Sequence, residues 1–163
     1  PPPKNNLKLN VDAHSLSDGH WGLGLILRKD DGRCLGAATR VRLGTDCVVL
    51  AEALGVQEAL KFIKQHHLHN VIIETDSEIL ARAIRRRSSP RTAWGRVVRE
   101  CVDFLDTNSD ISVCWVKRDD GFSIGPSIYL FHPSSVKKHA FFSALGGERD
   151  TRGLLRNHQE RWQ

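Results

Sequence analysis

Methionine is absent from this chain of 163 residues, tyrosine occurs once, and aromatic residues make up only 7%. A chain without Met that opens PPPKNN reads as a segment of a longer protein, with a Pro-rich linker over residues 1–6. The four cysteines, Cys34, Cys47, Cys101 and Cys114, include no CxxC pair. That argues against a zinc site and for reduced thiols in an intracellular setting. No apolar run approaches the roughly 20 residues that cross a bilayer, and no signal peptide is visible. No membrane partner is therefore expected. Internal repeats are missing, as are low-complexity segments beyond the opening prolines. One further absence is local: no acid lies between Arg82 and Arg99.

What is present is enough for one folded domain. Hydrophobic residues reach 40% of the chain, so it buries a core rather than staying disordered. The net charge is +5 and the pI about 9.3, which suits a polyanionic partner without proving one. The acid-free stretch sharpens this. It holds Arg82, Arg85, Arg86, Arg87, Arg91, Arg96 and Arg99, with Trp94 among them. Two readings stay open: a basic helix end plus loop, or a surface for phosphates.

Residues 7–13 alternate Leu7, Leu9 and Val11 with Lys8, Asn10 and Asp12, the period of a strand. HWGLGLILR (20–28) is a second strand, Lys29-Asp30-Asp31-Gly32 a hairpin turn, and CLGAATRV (34–41) a third strand. Gly22 and Gly24 weaken the second strand or admit a close backbone. A long helix follows over about 48–67, with Val49, Ala53, Val56, Leu60 and Ile63 as its core stripe. His66, His67 and His69 close it, as cations favour a helix C-terminus, and no neighbouring acid or cysteine makes them a metal site. VIIET (71–75) reads as a parallel strand covered on both faces. Helices over 77–86 and 92–106 and a last strand, ISVCWVK (111–117), complete the order. Three antiparallel strands followed by strands reached through helices predict an α/β fold with a mixed sheet.

Three carboxylates stand out against this order. Asp12 ends the first strand, Glu52 sits at the edge of the apolar stripe of the long helix, and Asp76 follows the buried strand. Catalytic groups gather at the carboxyl ends of parallel strands. Convergent carboxylates repel one another unless a cation joins them, and hard cations such as Mg²⁺ take oxygen ligands of this kind. The plainer reading gives each acid a separate duty: a turn carboxylate at Asp12, a helix N-cap at Asp76, loop hydrogen bonding at Glu52.

LKLNVDA, GLGLILRKDDGRCLGAAT, LAEALGVQEAL, VIIETDS and SVCWVKRD, in this order, resemble the ribonuclease H-like domains common in plant proteins and plant retrotransposon polyproteins. The resemblance covers about residues 7–119, and the domain it implies spans residues 7–118. It implies a five-stranded mixed sheet with the first strand central and parallel to the fourth. It also implies hydrolysis of the RNA strand of an RNA–DNA hybrid with two Mg²⁺ ions, Mn²⁺ being a substitute. By matched position, Asp12 corresponds to the shared ligand of both ions, and Glu52 and Asp76 to further ligands. Glu52 is also placed near the RNA 2′-hydroxyl, and Ser77 matches a polar residue usual after the last of these acids. Ser77, Arg85, Arg86, Arg87, Arg91 and Trp94 are the expected nucleic-acid contacts.

The match stops after the last strand. Members of the family carry a fourth acid on a final helix. Here Asp119 and Asp120 sit too close to the strand, and Glu148 and Asp150 lie far downstream. Without that acid the second ion is expected to bind poorly and turnover to fall. The tail over 119–163 is expected to diverge, with a helix over 135–145 capped by Ser134-Ser135. The rival functional classes are a non-catalytic nucleic-acid-binding module and a degenerate remnant of a retrotransposon-type nuclease.

Overall fold

The computed structural model describes residues 4–16, 19–44, 47–117 and 140–143. The first strand, β1 (Leu7–Ser15), turns the fully buried Leu9 and Val11 to one face, and Asn10 between them, on the other face, is buried as well. It runs on to Ser15, past the end read from the sequence, because the antiparallel ladder to β2 (His20–Arg28) continues to Ser15↔Trp21. Asp12 is thus inside β1, opposite Gly24. The turn after β2 closes with Gly32 N donating to Lys29 O at 2.9 Å, and Gly32 has φ +85°. That left-handed conformation favours glycine. β3 (Cys34–Leu43) returns antiparallel, with an irregular register at Leu27/Arg28.

Helix α1 (Val48–Gln65) ends at Gln65, since His66 caps it and His67 turns to φ +51°. β4 (Val71–Thr75) pairs parallel with β1 on one side and with β5 (Ile111–Trp115) on the other. Between them lie α2 (Glu78–Arg85) and α3 (Ala93–Thr107), the latter capped by Thr92 Oγ1, which accepts from Gly95 N at 3.1 Å. The five strands stand in the order β3-β2-β1-β4-β5. Their mixed sheet and flanking helices are the ribonuclease H-like architecture expected from the sequence, with β1 central. The core gathers Leu9, Val11, Ile73, Ala53, Val56, Leu60, Leu80 and Val98 between the sheet and the three helices.

A sixth strand, β6 (Ala140–Ser143), extends the sheet beyond β3 and pairs antiparallel from Gly36↔Ser143 to Thr39↔Ala140. This corrects the helix read over 135–145 at these four residues. The outer edge of β3 offers unpaired backbone groups, and AFFS, with two aromatic residues, suits a strand better than a helix. The rest of that expected helix lies outside the described residues, as do Asp119, Asp120, Glu148 and Asp150. No helix among the described residues is long and apolar enough to cross a membrane.

Candidate metal centre

Asp12, Glu52 and Asp76 come together. One carboxylate oxygen from each lies within 4.8 Å of the others. Three different elements deliver them: β1 carries Asp12, the second turn of α1 carries Glu52, and Asp76 follows the end of β4. Glu52 is only 5% exposed, while Asp12 and Asp76 are half-buried. Asp76 is not the cap of α2; Ser77 takes that position, and its side chain makes no capping hydrogen bond.

The approach of α1 to the sheet explains how Glu52 reaches Asp12. Gly55 lies one turn after Glu52, and a Cβ built on it would stand 2.9 Å from Val11 Cγ1. The missing side chain lets the helix settle onto β1 next to Asp12. Farther along α1, buried Glu58 fastens the helix to β3. Arg40 Nη1 and Arg42 Nη2 both donate to it, the second at 2.6 Å, and Lys61 joins at 3.0 Å. Burial alone would raise the Glu58 pKa, but the hydrogen bonds from Arg42 and Lys61 and the charge of Arg40 outweigh it and hold the carboxyl below its ordinary value.

The donor set is oxygen only and formally triply negative. Two unit charges 4 Å apart repel by about 4 kcal/mol at an effective dielectric of 20. Such a group fits a hard divalent cation, which prefers carboxylate oxygens. The family model described as reverse transcriptase-like matches residues 10–121, which include all three acids.

The chain belongs to the reverse transcriptase-like family.

No curated protein sequence matches it. Among solved structures, the ribonuclease H1 of the halophilic archaeon Halobacterium salinarum is similar at TM-score 0.61 and 17% identity, over 70% of this chain and 87% of that one. A ribonuclease H1 isolated from compost by a metagenomic approach, solved in complex with an RNA/DNA hybrid, gives TM-score 0.59 and 14% identity over 69% and 86%. A foamy viral protease–reverse transcriptase, also solved with an RNA/DNA hybrid, gives 0.53 and 20% over 70% and 17%. These likenesses show the ribonuclease H-like fold.

In this reverse transcriptase-like domain the basic stretch divides in two. Arg82 pairs with Glu78, and Arg87 pairs with Asp106. Arg85, Arg86, Arg91, Arg96 and Arg99 are exposed and make no ion pair among the described residues. Arg91, Arg96 and Arg99 line a cavity of about 420 Å³ with Pro90, Thr92 and Gly95. Trp94 is half-buried and packs on the core. Near the acids, the half-exposed Trp115 donates its Nε1–H to the backbone carbonyl of Asp76 at 3.2 Å.

Several polar partners escaped the sequence reading. An acid does join the histidines: His69 Nδ1 lies 3.0 Å from Asp110 Oδ2. Asp110 also accepts from Asn70 N, and this backbone bond, with the His69 contact, lowers its pKa. Two residues before the site acids, Asn10 and Glu74 are both buried and bonded to each other. The signal for that pair was in VIIET, where a glutamate interrupts an apolar run.

Proposed function

We propose that this domain hydrolyses the RNA strand of RNA–DNA hybrids, with Asp12, Glu52 and Asp76 holding Mg²⁺. The convergence of three carboxylates within 4.8 Å, from positions far apart in the chain, carries this reading. When bound, Mg²⁺ supplies charge stabilisation on a phosphodiester and an activated water. Asp12, on the central strand, would be the ligand shared by two ions, with Glu52 and Asp76 as further ligands. Ser77, whose hydroxyl is not spent on capping α2, is assigned to the substrate's sugar–phosphate backbone next to Asp76. Arg85, Arg86, Arg87, Arg91 and Trp94 form the assigned nucleic-acid surface, with Arg85, Arg86 and Arg91 as its freest cations. Contacts of this kind position a duplex without reading bases. Two structures of similar fold were solved with RNA/DNA hybrids, which supports this class of partner. The order of sequence blocks supports the retrotransposon-type branch.

The exposed arginines on α2 and α3 favour a second reading, a module that binds the hybrid without cutting it. Incubation with a labelled RNA–DNA hybrid and Mg²⁺ or Mn²⁺ separates the two. Metal-dependent cleavage that disappears in Asp76→Asn is the expected result. Salt-sensitive binding with no cleavage in either metal refutes the hydrolase and leaves the module.

A further inference from the structure

β1 and β4 run parallel from Leu7↔Val71 to Asn10↔Glu74, and there their ladder ends. Beyond it β1 stays with β2 as far as Ser15, while β4 stops at Thr75. The two strands part at this fork. Asp12 and Asp76 each stand two residues past the last pair. The backbone ladder therefore does not reach the acids it serves.

The last pair of the ladder carries a side-chain tie. Asn10 Nδ2 donates to Glu74 Oε2 at 2.7 Å. Lys8, one step back on the same face of β1, brings its Nζ to 2.8 Å from the other oxygen, Oε1. Asn10 is 5% and Glu74 9% exposed. A carboxylate this buried is costly unless it is paired and hydrogen-bonded, and here each oxygen has a donor. Apolar residues in these two positions would hold strands together about as well. What they would not supply is a directional contact of fixed length. Alternation places Lys8, Asn10 and Asp12 on one face of β1, with Leu9 and Val11 turned to the core. The tie and the first acid of the site share that face.

We propose that Asn10 and Glu74 are positioning residues for the metal centre: their hydrogen bond sets the width of the fork, and through it the separation of the Asp12 and Asp76 carboxylates. The inference rests on the reading of these acids as Mg²⁺ ligands. Two ionised carboxylates gathered at the mouth of the fork would push it open. The tie opposes that push and keeps the ligands at binding distance beforehand. Residues that orient metal ligands in this way change affinity by about 10–100-fold when removed.

Calorimetric titration of the 163-residue chain with MgCl₂, alongside thermal melting, tests this. Asn10→Asp sets two carboxylates against each other across the fork, and Glu74→Leu removes both acceptor oxygens. Each is expected to weaken Mg²⁺ binding about 10-fold or more. Adding Glu74→Gln to Asn10→Asp exchanges amide and carboxylate between the strands. A donor again faces an acceptor, and Mg²⁺ affinity is expected to return to within about threefold of wild type. Single variants that melt lower but bind Mg²⁺ as tightly as wild type overturn the proposal, because the tie is then structural alone. A double variant that regains its melting temperature without regaining Mg²⁺ affinity overturns it too. If the wild type shows no Mg²⁺ binding that Asp76→Asn removes, the metal reading itself falls, and this inference with it.

Discussion

Gly55 is where helix packing and site geometry meet, and Gly55→Ala sets two effects of opposite sign against each other. Alanine favours a helix interior over glycine by about 1 kcal/mol. The new methyl would start 2.9 Å from Val11 Cγ1, whereas carbon atoms rest at about 3.5–4.0 Å. Valine is stiff about χ1 and Val11 is fully buried, so the methyl cannot swing away. The helix must lift by somewhere near 0.6–1 Å, and overpacking of this kind costs about 1–3 kcal/mol. The balance is a loss of about 0–2 kcal/mol, which lowers the melting temperature by up to about 8 °C for a domain of this size. Glu52 lies one turn earlier on α1, so its carboxylate moves away from Asp12 by a similar distance. A misplacement near 1 Å is enough to cost about 100-fold in rate. Thermal melting combined with hybrid cleavage at saturating Mg²⁺ checks both halves. A variant that melts about 4 °C higher and cleaves at the wild-type rate would refute the close-approach reasoning outright.

Other predictions follow from neighbouring features. Glu58 is held below its ordinary pKa of 4.5, so the stability it adds is complete above that value and is lost as pH falls through the lower, folded one. Melting curves from pH 7 to pH 3 should show this acid loss, and Glu58→Gln should flatten it while costing about 1.5–3 kcal/mol at neutral pH. Burial, with the charge of Glu100, pushes the Cys101 thiol up to about 12. Exposed Cys34 and Cys47 should therefore react with a thiol reagent at pH 8 at once, and Cys101 only on unfolding; fast labelling of Cys101 would contradict its burial. Arg85→Ala and Arg86→Ala should each reduce the slope of log affinity against log salt for a hybrid by about 1, with no change in base preference.

Much of this fold could be read from periodicity. Apolar alternation in β1, the long stripe of α1 and the Val71–Ile73 run that opens β4 each reflect a single dominant constraint, burial against one core. The acids were legible for the converse reason: Glu52 occupies a place where burial asks for leucine or valine. Asn10 and Glu74 were missed because side-chain pairing across a parallel ladder depends on register, and register between strands 64 residues apart leaves no mark in local spacing. The Glu58 network was hidden in the same way, since its arginines lie on β3 and look like ordinary surface charges. β6 was misread because Val136, Ala140, Phe141 and Ala144 carry a helical spacing. The open edge of β3 decides the conformation of residues 140–143 more strongly than that spacing does.

The three acids belong to β1, α1 and the end of β4, so no part of the domain smaller than these three elements contains the site. A cation that gathers them recognises the native chain and not its unfolded form. Occupancy is then a thermodynamic load on folding itself: at 100 times its dissociation constant such a ligand adds about 2.7 kcal/mol to native stability. In a chain whose paired β1 and β4 residues lie 64 positions apart, as Leu7 and Val71 do, the proposed Mg²⁺ site would make metal supply and folding yield coupled quantities. Growth or refolding under chelation should lower the folded fraction even where no substrate is present.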